Sequence, residues 1–142
     1  MKWALLILIA LFGLAQLWPV ERSNPPVTGE FDGPEDVHVV LRESCYDCHS
    51  NTTTWPWYSR IAPVSWLVAH DVNHAREHLN FSEWVNLPED EREELRKEIW
   101  EEVDEGAMPL PIYLVLHGDA ALDDADRDTL REWATDGPPA IP

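Results

Sequence analysis

An all-α domain is what this sequence predicts, on three observations. Four stretches place their apolar residues at helical spacing, no stretch alternates apolar and polar residues like a strand, and the breaks between them are rich in Pro and Gly. The 142 residues, with 44% apolar content and eight Trp, suffice for one small core but not for several domains. Acidic residues number 27 against 10 basic ones, a formal net charge of −17. So few cations argue against electrostatic capture of nucleic acid or of anionic lipid, which needs a local cationic excess. Basic partners stay open.

Residues 1–18 read as an export signal, with one Lys at position 2 and an apolar run from 3 to 15 ahead of Gln16, Leu17 and Trp18. The 18-residue segment as a whole is longer than a signal-peptide core and shorter than the roughly 20 residues that span a bilayer. It is either cut near Gly13-Leu14-Ala15 or retained as a hydrophobic anchor helix with Trp18 at the membrane–water interface; the retained form is the expectation adopted. Both routes lead to the periplasm or cell envelope, the retained one with a tether to the inner membrane. Residues 19–33 hold three Pro and two Gly without periodicity, as an extended linker does.

The domain proper is expected over 34–136. Its first helix starts at Pro34, carries Val37, Val40, Leu41 and Ser44 on one side and runs up to Cys45. The second covers 63–78 and the third 88–105, where Leu95, Ile99 and Val103 form an apolar stripe that Trp100 widens. The fourth begins at an N-cap, Asp123, and presents Ala125, Thr129, Leu130 and Trp133. Gly137-Pro138-Pro139 stops it and opens a Pro-rich tail, 137–142.

Both cysteines fall in Cys45-Tyr46-Asp47-Cys48-His49, a CxxCH. Two residues between the thiols put both sulfurs on one side of a helical turn, and the His that follows can reach a metal beside them. This is what covalent attachment of one haem c per chain requires: two thiols to add to vinyl groups and a proximal imidazole for the iron. The attachment chemistry belongs to an exported compartment, to which the leader independently points. Other uses of CxxC fit less well. A thioredoxin-like pair needs a βαβ setting, a zinc site needs further ligands at defined spacing, and a disulfide over so short a loop constrains almost nothing.

An electron-transfer haem takes a second axial ligand. Met108, the one methionine besides the initiator, sits in Gly106-Ala107-Met108-Pro109-Leu110-Pro111, where Gly and Pro hold an irregular loop that can present a thioether; its other use is to fill a core gap. The order helix-CxxCH, helices, Met loop, final helix resembles the plan of class I cytochromes c. His117 is the alternative ligand or a partner that orients the loop. Just after the motif, Trp57, Tyr58 and Arg60 are candidates for the haem propionate edge, and Trp55, Ile61 and Trp66 for its apolar walls. His70, His74 and His78 recur every fourth residue, a stripe that suits either a surface metal or a plain polar face. Ten acidic residues in the third helix fit a solvated face, a docking patch for a basic redox partner or adaptation to high salt.

With these residues in view, the chain resembles the small bacterial haem-binding domain proteins of the cell envelope, defined by a single CxxCH. The resemblance runs through NPPVTGEFDGPEDV, CYDCHSNTTTWPWYSRIAPVSWLVAHDV, HLNFSEW, EGAMPLPIYLVLH and DDADRDTLREW. It implies a c-type haem on Cys45 and Cys48 with His49 proximal, a helical cytochrome-c-like fold and an exported location. The expected role is a monohaem electron carrier with His49 and Met108 as axial pair. The alternative is a haem sensor or peroxidase-like module whose distal site is open.

Overall fold

The computed structural model describes residues 1–135; the tail at 137–142, with its Gly-Pro-Pro stop, lies outside the described residues. Among the described residues seven α-helices follow one another: α1 (Lys2–Ala15), α2 (Glu35–Ser44), α3 (Tyr46–His49), α4 (Val64–His78), α5 (Glu89–Asp104), α6 (Pro111–Leu114) and α7 (Asp124–Thr135). Short 3-10 turns lie at Trp57–Arg60, Trp84–Asn86 and Gly118–Ala120. The described residues hold no strand, only an isolated parallel bridge between Gly29 and Glu83. The all-α expectation holds.

Each long helix starts where the sequence punctuates it. Pro34 and Pro88 precede α2 and α5, and acidic first turns, Glu35-Asp36 and Glu89-Asp90-Glu91, complement the helix dipole. At α7 the Asp123 Oδ1 accepts from the N–H groups of Ala125 (2.8 Å) and Asp126 (2.9 Å), and Asp126 Oδ2 accepts from the Asp123 N–H (3.0 Å). This reciprocal capping box satisfies donors the helix itself cannot. α7 packs against both α5 and α2, and α3 packs on α4. Their shared core holds Val37, Leu41, Tyr46, Phe81, Trp84, Val103, Leu130 and Trp133.

Residues 19–33 are extended, as expected, yet they are not a loose tether. Phe31 is only 5% exposed and stands edge-on to Phe81 and Trp133. The N–H groups of Thr28 and Gly29 donate to the Ser82 carbonyl (3.1 and 2.9 Å), Arg76 reaches the Ser23 carbonyl (3.0 Å), and Asn51 reaches that of Pro26 (3.0 Å). An extended backbone leaves its carbonyls unpaired, and the domain's side chains take them up. The folded unit therefore begins before Pro34.

The apolar leader forms α1, every residue of which is exposed or nearly so. Its 14 residues measure about 21 Å at 1.5 Å each, short of a hydrocarbon core of roughly 30 Å. No helix among the described residues is long and apolar enough to cross a membrane, so a bilayer-spanning anchor helix over 1–18 is not found. At the helix end the Gln16 side-chain amide donates to the Ala62 carbonyl (3.2 Å) and accepts from the Ala62 N–H (2.9 Å).

Candidate functional site

The CxxCH forms one helical turn at a corner of the chain. Cys45 ends α2, donating its N–H to the Leu41 carbonyl (2.8 Å), and opens α3 by accepting from Cys48 (3.1 Å) and His49 (2.9 Å). Its φ of −121° breaks the α2 path, so the motif sits on its own turn with both thiols toward one side. The two intervening residues fix that turn. Tyr46 is buried and stacked on Phe81 at 5.2 Å, while Asp47 accepts from the Thr54 N–H (2.9 Å) and the Tyr113 hydroxyl (2.9 Å).

Both cysteines are free thiols. Burial pushes Cys45 up to about 12, and burial with the nearby Asp47 charge pushes Cys48 up to about 11, so both are protonated at neutral pH. A redox-active CxxC does the reverse, stabilising a thiolate. Burial also lowers the His49 pKa and keeps its imidazole neutral. The ring Nδ1 lies 3.1 Å from the Leu79 carbonyl oxygen. A carbonyl only accepts, so Nδ1 carries the hydrogen and Nε2 keeps a free lone pair, the state of a metal-ligating imidazole.

These three side chains line a cavity of about 710 Å³, a cofactor-sized volume. Leu79, Phe81, Leu95, Ile99, Val103 and Leu110 give it apolar surface; Asp71, Glu98, Glu101 and Glu102 add carboxylates. Met108 lines it as well. The loop that brings it there starts from a Schellman motif at the end of α5. The Ala107 N–H donates to the Glu102 carbonyl (2.9 Å) and the Gly106 N–H to that of Val103 (3.1 Å), with Gly106 at φ +71°. That left-handed position is why Gly stands there. The Met108 N–H also reaches the Glu102 carbonyl (3.0 Å), tying the residue to the helix end.

The sequence-predicted residues thus divide. Cys45, Cys48, His49 and Met108 meet at one cavity; Trp55, Trp57, Tyr58, Arg60, Ile61 and Trp66 are not among its lining residues. Trp55 donates to Asn24 (3.1 Å) beneath the Arg76 guanidinium, Trp57 is 72% exposed, and Arg60 is exposed. Tyr58 pairs with His117 at 2.7 Å, and His117 stacks at 4.2 Å on Tyr113, which does line the cavity, so this pair stands directly behind the lining. The Trp-rich segment thus reaches the cavity only indirectly, through Tyr58, His117 and Tyr113, so nearness in sequence does not become a place in the lining. Among the described residues, no Lys or Arg lines the cavity.

Several contributors escaped the sequence reading. The Leu79 carbonyl is backbone, so no residue type announces it. Asp47 and Tyr113 pair across 66 positions, a contact that no local pattern signals. His74 and His78 line the cavity, while among the described residues no cluster of three or more His, Cys, Asp or Glu is arranged to hold a metal ion. The fourfold His spacing was visible, but not which way the stripe faces.

A neutral imidazole with a free nitrogen, a thioether and two protonated thiols around one largely apolar cavity fit an iron porphyrin, which asks for axial N or S donors and apolar walls. The class so defined is a helical haem-binding domain. The chain belongs to the haem-binding domain family, whose model matches residues 5–136. Among curated proteins and among solved structures, nothing matches.

Proposed function

We propose that this haem-binding protein is a monohaem c-type cytochrome domain that carries single electrons in the cell envelope, held at the membrane by its N-terminal segment. One observation carries the reading: both CxxCH thiols, the pinned His49 imidazole and the Met108 thioether line the same cavity. Cys45 and Cys48 would anchor the haem as thioethers, with His49 proximal and Met108 distal. The haem supplies reversible one-electron exchange at its iron, and a His/Met pair gives a higher potential than two His ligands do.

The protein's own residues do the rest. The Leu79 carbonyl holds the His49 ring in one tautomer, which fixes the direction of its free nitrogen. Tyr113 and Asp47 tie α6 to the CxxCH turn, so the Met108 loop and the thiols are held to one another. The apolar part of the lining would cover the haem faces, which also favours a high potential. The carboxylates at the cavity, Asp71, Glu98, Glu101 and Glu102, suit approach by a basic redox partner, with steering that weakens as salt rises.

The test is expression with the haem-attachment machinery. The intact mass should exceed the bare polypeptide by one haem, and the colour should survive acid extraction. Met108→Ala should abolish the weak thioether-to-ferric-iron absorption band. A bare-polypeptide mass overturns covalent attachment. An unchanged Met108→Ala spectrum with rapid carbon monoxide uptake overturns the ligand pair and favours a sensor or peroxidase-like module.

A further inference from the structure

The 27 acidic residues are not spread evenly along the chain. None lies in 1–20, in 48–70 or in 106–118. Beyond residue 18, nearly all the exposed large apolar side chains of the described residues fall in the last two of these stretches; Val27, Val39 and Val85 are the exceptions. Trp57, Ile61 and Leu67 come from one, and Ile112, Val115 and Leu116 from the other.

The fold then joins the three stretches. Gln16, at the end of α1, exchanges two hydrogen bonds with the backbone of Ala62. Arg22 continues the seam by donating to the Ser59 carbonyl at 2.6 Å. Tyr58 and His117, 2.7 Å apart, bring the second stretch beside the third, so exposed Trp57 and exposed Leu116 flank a single hydrogen bond. The result is one apolar surface built from three acid-free stretches at the foot of an apolar helix, with exposed Glu21 beside Arg22 on the seam, on a protein that is otherwise strongly anionic.

We infer that this surface, built from the turn at Trp57–Arg60, the start of α4 and the α6 corner, rests on the lipid bilayer. The occupant follows from what the surface adjoins. α1 is apolar on all sides and suited to lipid, and the reciprocal Gln16–Ala62 joint fixes the domain against its end instead of letting it swing on a linker. Side chains next to that joint must then meet the interface that α1 enters. Trp57 is the residue type that interfaces favour, Arg22 and Arg60 offer cations to lipid phosphates, and missing carboxylates remove repulsion from an anionic leaflet. The domain is in this view a docked body with a fixed orientation, and the acidic α5 stays available to soluble partners. The inference rests on the membrane-held reading above and adds to it which face is down.

The experiment reconstitutes the full haem-loaded chain in vesicles of phosphatidylcholine and phosphatidylglycerol that contain a diazirine-bearing phosphatidylcholine. Vesicles are floated, illuminated, and the adducts mapped by mass spectrometry. Adducts are expected on α1 and also on peptides covering 56–67 and 111–117, with none on α5. The double variant Leu67→Glu/Val115→Glu, both sites exposed and dispensable for packing, should lose the domain adducts while keeping those on α1. Flotation with adducts confined to α1 overturns the docked face and leaves the membrane-held reading standing. Domain adducts that persist in the double variant overturn it too. A chain that does not float removes the membrane-held reading and the inference together.

Discussion

Two aromatic groups lie close to the CxxCH in sequence or in space, and they have opposite fates. Phe31, Tyr46, Phe81, Trp84 and Trp133 come from positions scattered over a hundred residues and converge into one buried cluster behind the motif, with ring centroids 5.2–6.0 Å apart. Trp55, Trp57 and Trp66 follow the motif within twenty residues, yet two of them are exposed and none lines the cavity. Aromatic density therefore does not identify the cofactor wall. What decides is whether the backbone brings a ring back to the turn at 45–49, as the Phe81 N–H does by donating to the His49 carbonyl at 2.8 Å.

The largest expected effect tests the buried half. Trp84 is 2% exposed and touches Phe31, Phe81 and Trp133. Trp84→Ala should cost about 3–5 kcal/mol, the range for truncating a buried large aromatic, and for so small a domain this approaches the whole stability. Urea unfolding checks it. A midpoint close to that of the parent would mean that the cluster does not hold the domain together.

The next effect separates apo from haem-loaded protein. Cys45 and Cys48 have pKa values raised above the 9.0 of an unfolded thiol, to about 12 and about 11. The folded state therefore favours the protonated thiols. Their contribution is complete below pH 9 and is lost as pH rises through the folded values. Thioethers do not titrate, so haem-loaded protein should lack this alkaline loss, sharing with apo protein that from Tyr46, Tyr58 and Tyr113, whose pKa values burial also raises. Melting temperatures of the two forms across the alkaline range should diverge above pH 9. On the acid side, the lowered His49 value means that apo stability falls as pH drops below about 6.5.

How legible was all this in the sequence? The long helices were, because Pro34, Pro88 and Asp123 mark their starts and the buried residues recur at helical spacing. The Met108 loop was legible for a related reason, since a Gly at the end of an acidic helix marks the left-handed turn that Gly106 adopts. Phe31 was not. It lies in a stretch without periodicity, and only the three-dimensional gap it fills makes it core. Trp57, Tyr58 and Arg60 lie outside the cavity lining, and their residue types could not foretell that, because N–H and O–H donors suit a propionate edge and a wet surface equally well. Composition cannot choose between the two; chain direction does.

A smaller effect probes the ligand loop. Gly106→Ala meets open space, since nothing lies within 4 Å of the added carbon, but it must hold φ at +71°. The cost should be about 1 kcal/mol, the usual penalty for a non-Gly residue in that region. The displaced loop should weaken the thioether band of Met108. Gly118→Ala, also in open space and without a positive φ, is the matched control and should leave the band intact. Equal spectra for the two variants would detach Met108 from the iron.

The smallest effect is the sharpest test of the contrast between the aromatic groups. Trp57 sits 72% exposed, so Trp57→Phe should change stability by less than about 0.5 kcal/mol, as surface substitutions do. Its haem absorption should stay where it is, because no atom of Trp57 lines the cavity. Tyr46→Phe, behind the motif, keeps the ring stacked on Phe81 but removes the hydroxyl that donates to Glu30 at 3.0 Å, and should cost about 1 kcal/mol. Unfolding curves and visible spectra of the two variants, taken together, rank the groups. If Trp57→Phe moves the haem band and Tyr46→Phe does not perturb the protein at all, the assignment is inverted: the exposed tryptophans, and not the buried cluster, would be what the haem feels.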